Sequence, residues 1–200
     1  MLGISEITRL SDITDLDVDI LETRQIRLLG IDIENVLTDY GDTQVRSDAS
    51  EHLGILASQL VDLDFALITN KTDKGFVREV SEQLGNTPYY QPCAILRNKT
   101  KPDMFDAAIS DFSIDSNQAA LVDDQLKSIL GLRMARWGHL FWPKPYGERQ
   151  HQGVKAFRPI ENLIFTSMRY FSHPKPALAA IESRIPTLQP ESPILVRRWN

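Results

Sequence analysis

The chain has 200 residues, 42% of them hydrophobic and 24% charged, which is the balance of an ordinary soluble domain with a core of its own. Its formal net charge of −5 argues against broad electrostatic binding of nucleic acid but is compatible with local anion sites. Cys93 is the single cysteine, which excludes an internal disulfide and a cysteine-based metal motif.

The N-terminal segment, MLGISEITRLSDITDLDVDI, carries acidic residues throughout and lacks the basic start and apolar run of a secretory signal. No stretch of the sequence approaches the roughly 18 consecutive apolar residues of a membrane span. We therefore expect a cytoplasmic protein.

The first elements along the chain alternate between strand and helix. Residues 26–32 (IRLLGID) form a short apolar run that ends in turn residues, which is typical of a buried strand. Asp48 or Ser50 can cap a helix that runs to about Leu60. Residues 64–69 (DFALIT) then read as a second buried strand.

The alternation continues through the middle of the chain. A helix is predicted to start at Thr72 or Asp73 and to stop at Gly85, a residue type common just after helices. A short strand is predicted around Tyr89. Pro102 then opens another helix, since proline is favoured at the first helical position.

The remaining elements complete an α/β pattern. Residues 119–123 (AALVD) predict a third buried strand, residues 125–135 a short helix and residues 138–142 a fourth strand. A longer amphipathic helix is predicted between Ile160 and Tyr170. Alternating strands and helices favour a three-layer α/β/α Rossmann-like fold, with an open, mostly parallel sheet between two layers of helices.

The character of the sequence changes near residue 172, beyond which prolines interrupt the chain repeatedly. We predict one domain over residues 1–171 and a proline-rich tail over residues 172–200, with a short helical piece at about 177–184. The final run, ILVRRWN, combines apolar, basic and tryptophan side chains. It suits either contact with a membrane interface or ordinary packing on the domain.

Polar residues collect where the predicted strands end, which is where open α/β sheets bind ligands. Two acids follow the first strand at a spacing that puts both side chains on one face. Two polar residues follow the second strand, two lysines precede the Pro102 helix, and two acids follow the third strand. These residues are Asp32, Glu34, Thr69, Asn70, Lys99, Lys101, Asp123 and Asp124.

The set is chemically coherent, although most members alone are more often turn or helix-boundary residues and the pair Asp123–Asp124 alone is ambiguous. Neighbouring carboxylates repel one another strongly unless a cation lies between them, and hard oxygen ligands suit Mg²⁺. A lysine, a threonine and an asparagine supply donors for a phosphate, and a carboxylate can act as a nucleophile. The joint occurrence of these types on successive strands predicts phosphoryl chemistry.

In this order, the residues resemble the motifs of phosphatases of the haloacid dehalogenase (HAD) superfamily. The chain looks most like the small YqeG-like branch (subfamily IIIA), which is related to phosphatidylglycerophosphate phosphatases. Its acidic segment LSDITDLDVDILETRQIRLLGID is similar to the start of that branch. The resemblance covers about residues 9–143 and implies a HAD-like fold without a large cap domain.

The first motif of the superfamily, Asp-x-Asp-x-Thr, falls on residues 32–36, which read DIENV. The resemblance therefore implies Asp32 as the nucleophile and Glu34 as the general acid/base. Two departures stand out: Glu34 is one methylene longer than the usual aspartate, and Val36 lacks the usual hydroxyl.

The other motifs follow in order. The second falls on Thr69, and the third, a lysine, falls on Lys101, with Lys99 as the less favoured substitute. By resemblance Thr69, Asn70 and Lys101 would bind the phosphoryl group. The fourth, acidic motif falls on the pair Asp123–Asp124 in LVDDQL, although a further downstream aspartate of the family is absent.

By the same resemblance the cofactor would be Mg²⁺, held by Asp32, Asp124, the backbone carbonyl of Glu34 and waters, with Asp123 as an additional acid. The implied activity is hydrolysis of a phosphomonoester through an aspartyl-phosphate. The implied substrate is a small phosphorylated metabolite or a lipid phosphate.

Two alternatives stay open. Because the first motif is altered at Glu34 and Val36, the chain could be a catalytically impaired relative that serves in binding or regulation. A phosphotransfer receiver domain also uses acids, threonine and lysine on a parallel sheet, and it carries one phosphorylated aspartate at the end of its third strand. That class fits poorly, because this chain has a pair of acids after the third predicted strand and is 200 residues long.

Overall fold

The structure is a computed structural model that describes residues 6–92 and 99–147, together with Pro159 and Glu161. Residues 2–154 form one compact unit, which contains every element described below. A second unit comprises residues 155–200 and Met1. The predicted helix between Ile160 and Tyr170, the predicted tail and Cys93 lie outside the described residues, so the boundary at residue 172 stays a prediction.

A six-stranded sheet forms the centre of the first unit. Its strands are β1 (Glu6–Arg9), β2 (Leu28–Ile31), β3 (Asp64–Ile68), β4 (Tyr89–Tyr90), β5 (Ala119–Val122) and β6 (His139–Trp142). The strand order is β1-β6-β5-β2-β3-β4, and every pairing is parallel. The predicted α/β class with an open parallel sheet is confirmed.

Five α-helices connect these strands, along with short 3₁₀ turns before α1, before β5 and before α5. The helices are α1 (Val18–Thr23), α2 (Ser47–Gln59), α3 (Lys74–Gln83), α4 (Asp103–Phe112) and α5 (Ile129–Ala135). Asp73 caps α3 by accepting hydrogen bonds from the amides of Gly75 and Phe76. Of the two predicted starts of this helix, Thr72 and Asp73, the structure therefore has Asp73.

Three features differ from the sequence prediction. Helix α2 is preceded by Arg46 rather than capped by Asp48 or Ser50, and the Arg46 guanidinium is occupied by ion pairs to Asp12 and Asp48. Pro102 lies just before α4 instead of being its first residue. The strand β1 and the helix α1 were not predicted at all.

Helices cover both faces of the sheet. Alternate strand residues point to opposite sides, so each face has apolar side chains that pack against the helices on that side. On one face, Leu29 and Ile31 of β2 join a buried cluster with apolar residues of α2 and α3. On the other face, Phe105 of α4 packs edge-to-face against Trp137, which follows α5, with ring centroids 5.1 Å apart. Each strand of the centre is therefore buried on both sides.

The segment from residue 32 to residue 46 is the longest connection between successive helices and strands in the described parts of the chain. It is too short to contain a separate cap domain. Among the residues that the structure describes, no helix is long and apolar enough to cross a bilayer.

Candidate active site

Strand pairing brings the acids of the first and fourth motifs together. In β2 and β5, Ile31 lies opposite Val122, and the Asp32 amide donates to the Val122 carbonyl at 2.9 Å. Asp32 and Asp123 thus follow two neighbouring parallel strands in register. Both strands end at the carboxyl edge of the sheet, so the two side chains lie at the same edge.

Three carboxylates form a buried cluster at this edge. Asp32 is 4% exposed and Asp123 and Asp124 are fully buried. One oxygen from each of the three lies within 4.8 Å of the others. Three carboxylates so close together and so far from water need a cation to be stable in the ionised state.

The buried cation of the cluster is Lys99. Its Nζ lies 2.8 Å from Asp32 Oδ1 and 2.5 Å from Asp123 Oδ2, and its side chain is 1% exposed. Lys101, which the motif comparison favoured for this role, is exposed. The difference has a local cause, because the Lys99 amide donates to Asn70 Oδ1 at 2.8 Å and so fixes Lys99 inward.

Burial dominates the ionisation of this cluster. It raises the pKa of Asp32 to about 8, helped by the charges of Asp123 and Asp124, and the opposing attraction of Lys99 does not cancel it. The two carboxylates around Lys99 outweigh its own burial and raise the pKa of the ammonium group above its ordinary value. Lys99 is therefore a permanent cation, whereas Asp32 titrates near neutral pH in the metal-free protein.

Asp123 is held by three donors within the protein. Its Oδ2 accepts from the Ser128 hydroxyl at 2.6 Å in addition to the Lys99 ion pair, and its Oδ1 accepts from the Gln125 amide at 2.7 Å. Both oxygens are thus already committed within the protein. Asp123 therefore fixes the position of the Lys99 ammonium group.

The loop after β2 is wound into a tight turn. The Ile33 carbonyl accepts from the amides of Val36, Leu37 and Thr38, and Asn35 adopts a left-handed conformation with φ of 64°. Val36, at the position where the motif Asp-x-Asp-x-Thr has a hydroxyl, is 1% exposed and packs in the apolar core. The missing hydroxyl is therefore replaced by core packing that stabilises the same turn.

Asn35 connects this turn to the acidic cluster. Its Nδ2 donates to Asp124 Oδ2 at 3.3 Å, and the residue is 1% exposed. Its Oδ1 is buried and accepts no hydrogen bond within the described parts of the chain. A buried amide oxygen beside carboxylates is the acceptor that a water bound to a metal would use.

These observations fit a divalent metal. The cluster contains three buried carboxyl groups but only one buried ammonium group, that of Lys99. The atoms that could bind a metal are hard oxygens, and the buried Asn35 Oδ1 is a further hydrogen-bond acceptor beside them. Asp32 and Asp124 are the side chains that would hold the ion. The Glu34 side chain is not part of this group.

The Glu34 side chain lies outside the cluster of three aspartates and is held by contacts with two loops. Its Oε1 accepts from the Gly41 amide at 3.0 Å and forms an ion pair with Lys71 Nζ at 2.9 Å. The Glu34 side chain is 20% exposed, so it is open to solvent while Asp32 below it is not. The Glu34 carboxyl group is therefore both accessible to solvent and held in place by two donors.

The loop after β3 holds three parts of the site with three consecutive residues. Thr69 is buried and its Oγ1 accepts from the Lys71 amide at 3.1 Å, which leaves the hydroxyl proton to donate. Asn70 fixes the backbone of Lys99, and Lys71 binds Glu34. The predicted site residues Thr69 and Asn70 therefore lie in the same loop as a residue that the sequence analysis overlooked.

Lys71, Asn35 and Ser128 are the contacts that the sequence analysis missed. Lys71 had a usable signal, because it directly follows Thr69 and Asn70 at a strand end. Asn35 had one as well, since asparagine in a turn adopts the left-handed conformation more readily than most residue types. Ser128 had none, because its bond to Asp123 depends on the 3₁₀ turn before α5.

Fold and site together define a class: a parallel α/β protein with a buried cluster of three aspartates and a lysine at the carboxyl ends of its central strands. The chain matches no protein-family model and no curated protein.

Solved structures that are similar to the chain include 3-deoxy-D-manno-octulosonate 8-phosphate phosphatase from Yersinia pestis, with 21% identity, 63% of this chain and 69% of that chain covered, and a TM-score of 0.45. The cobalt-bound enzyme of the same name from Haemophilus influenzae has 17% identity, coverage of 72% and 89%, and a TM-score of 0.43. A predicted HAD-like family hydrolase from Porphyromonas gingivalis has 11% identity, coverage of 70% and 98%, and a TM-score of 0.43. Structural similarity at this level does not identify a reaction.

Proposed function

We propose that this protein is a metal-dependent phosphomonoester hydrolase of the HAD superfamily. The observation that carries the proposal is the position of Lys99, whose buried ammonium bridges Asp32 and Asp123 within a cluster of three acids. A nucleophilic carboxylate, a fixed cation and room for a metal next to it are the components of phosphoryl transfer to aspartate.

In the first step a carboxylate oxygen of Asp32 attacks the phosphorus atom, and the bond from phosphorus to the leaving oxygen breaks. Glu34, as the carboxylic acid, gives its proton to that oxygen, so the alcohol leaves neutral. The Thr69 hydroxyl and the Lys99 ammonium donate to the phosphoryl oxygens. In this scheme Lys99 takes the part that the motif comparison favoured for Lys101.

In the second step a water molecule attacks the phosphorus of the aspartyl-phosphate. Glu34, now a carboxylate, accepts a proton from the water, and the bond from phosphorus to Asp32 breaks. Phosphate leaves and the Asp32 carboxylate is restored. The magnesium ion that we propose at Asp32 and Asp124 supplies positive charge for the phosphoryl oxygens when it is bound.

The same geometry favours an active enzyme over a catalytically impaired relative. Every role of the reaction is occupied by a residue at the same edge of the sheet, and Val36 stabilises the first-motif turn in place of the hydroxyl. With no cap domain in the described part of the chain, the site suits substrates of varied size. We propose a phosphorylated metabolite or a lipid phosphate as the substrate class.

The experiment is hydrolysis of p-nitrophenyl phosphate and of a panel of sugar, nucleotide and lipid phosphates with Mg²⁺ or with EDTA. We expect turnover that requires Mg²⁺ and that falls by at least about 10³-fold in Asp32→Asn, because the nucleophile is removed. The matched control is Asp64→Asn, an exposed aspartate at the opposite end of β3, which should keep full activity.

Retention of metal-dependent activity by the Asp32→Asn protein would exclude an aspartyl-phosphate mechanism. If the wild-type protein turns over no phosphomonoester with Mg²⁺, the impaired-relative alternative replaces this proposal.

A further inference from the structure

Glu34 forms an ion pair with Lys71, a residue that belongs to none of the sequence motifs. Lys71 Nζ lies 2.9 Å from Glu34 Oε1, and the two side chains are 27% and 20% exposed. Both groups are shielded enough that the pair is more than a casual surface contact. Lys71 follows Thr69 in the phosphate-binding loop, so it belongs to the wall of the site.

Lys71 is itself fixed in place by its surroundings. Its amide donates to Thr69 Oγ1 at 3.1 Å. Its ammonium group lies 4.3 Å from the centre of the Phe76 ring and 6.0 Å from the centre of the Tyr40 ring, within the range of cation–π attraction. The lysine side chain is therefore a fixed point from which another group can be oriented.

The bonds to Glu34 distinguish its two carboxyl oxygens. The Gly41 amide and the Lys71 ammonium both donate to Oε1. Within the described residues Oε2 receives no hydrogen bond. Because two donors hold Oε1, Oε2 is the oxygen left to exchange a proton in the proposed reaction.

We infer that Lys71 is a positioning residue for Glu34, which fixes the longer glutamate side chain so that Oε2 faces the leaving oxygen of the substrate. A glutamate has one more rotatable bond than the aspartate of the related motif, and it loses precision unless something restrains it. The ion pair and the Gly41 amide supply that restraint. This inference rests on the proposed function, because it assigns Lys71 to the proton transfer of that reaction.

The test uses two substrates of similar shape that need the acid to different degrees. Phenyl phosphate releases phenol, whose pKa is about 10, whereas p-nitrophenyl phosphate releases a far more acidic phenol that departs with little help. The value of kcat/KM reports the step in which the leaving group departs. A residue that positions the acid therefore matters more for phenyl phosphate.

For Lys71→Met we expect kcat/KM to fall by about 10- to 100-fold for phenyl phosphate and by no more than about 3-fold for p-nitrophenyl phosphate. Lys71→Arg, which keeps a cationic donor, should recover most of the loss. The matched control is Lys74→Met, an exposed lysine at the start of α3, which should behave as the wild type on both substrates.

A double-mutant cycle with Glu34→Gln separates positioning from a general structural effect. If Lys71 acts through Glu34, adding Lys71→Met to Glu34→Gln lowers kcat/KM by less than about 2-fold. Thermal unfolding of each variant checks that the fold is intact, as expected for a lysine that is partly exposed.

Equal losses on the two substrates would overturn the inference, as would additive losses in the cycle. A higher KM for Lys71→Met with unchanged kcat would also overturn it, because Lys71 would then bind substrate directly. These outcomes are distinct from failure of the proposed function, in which the wild type shows no activity or Asp32→Asn shows no loss.

Discussion

At the scale of single residues, the site depends on side chains that are satisfied on one side and open on the other. Asp123 has both oxygens bound by protein donors, whereas Glu34 and Asn35 each have one bound atom and one without a partner in the described chain. A bound atom fixes the orientation of a group, and its open atom is then available to a ligand. Glu34 and Asn35 therefore each have one oriented polar atom that could contact a ligand.

For Asn35 the expected consequence is weaker binding of Mg²⁺ when its amide is removed. Because Asn35 is left-handed, Asn35→Gly keeps the backbone and removes both the bond to Asp124 and the open acceptor. We expect the dissociation constant for Mg²⁺, measured by isothermal titration calorimetry, to rise by about 10-fold.

The control for this substitution is Asn86→Gly. Asn86 has the same φ of 64° but is exposed and remote from the acids in sequence, at the end of α3. Metal affinity should be unchanged in this variant. If Asn35→Gly also leaves the dissociation constant unchanged, Asn35 has no part in holding the metal.

At the scale of elements, the position of Lys99 depends on how closely α5 approaches the segment before α4. A Cβ atom at Gly131 would meet the Lys99 carbonyl oxygen, would lie 2.6 Å from a Phe105 ring carbon and would lie 2.8 Å from the Lys101 carbonyl oxygen. Only glycine allows this contact, because the backbone on the other side cannot yield.

Gly131→Ala is therefore expected to displace residues 99–101 and to reduce both stability and phosphatase activity. Overpacking of this kind costs about 1–3 kcal/mol, which chemical denaturation would detect. The control is Gly54→Ala in α2, where a Cβ meets nothing within 4 Å, and where alanine should stabilise the helix by roughly 0.5–1 kcal/mol. Equal stability of the two variants would refute the close-approach argument.

The same contacts explain what the sequence could and could not predict. The central strands were predictable because each is a continuous apolar run, and the site acids follow from where these runs end. The choice between Lys99 and Lys101 was not predictable, since two lysines two residues apart differ only in contacts to Asn70 and α5. Strand β1 was missed because its residues are at most half-buried, and only pairing with β6 makes it a strand.

At the scale of the whole molecule, the burial of Asp32 makes the stability of the metal-free protein depend on pH. Burial raises the pKa of Asp32 from its usual 3.8 to about 8 in the metal-free protein, so the native state retains a proton that the unfolded chain releases. Between these two values the native state binds more protons than the unfolded state. The contribution of Asp32 to the free energy of unfolding must therefore decrease as pH rises through this window.

We expect this decrease to appear as a pH-dependent gap between the wild type and Asp32→Asn, a neutral side chain of the same shape. In EDTA the advantage of the variant should be small at pH 5, which lies only about one pH unit above the lower end of this window. At pH 8 the variant should be more stable by an amount on the order of a few kcal/mol, measured by urea denaturation.

A metal ion competes with that proton, so saturating Mg²⁺ should stabilise the wild type more at pH 8 than at pH 5. Asp64→Asn, which removes an exposed carboxylate, should follow the wild type at both pH values. A gap between wild type and Asp32→Asn that does not change with pH would mean that Asp32 is ionised throughout, with Lys99 able to offset its burial.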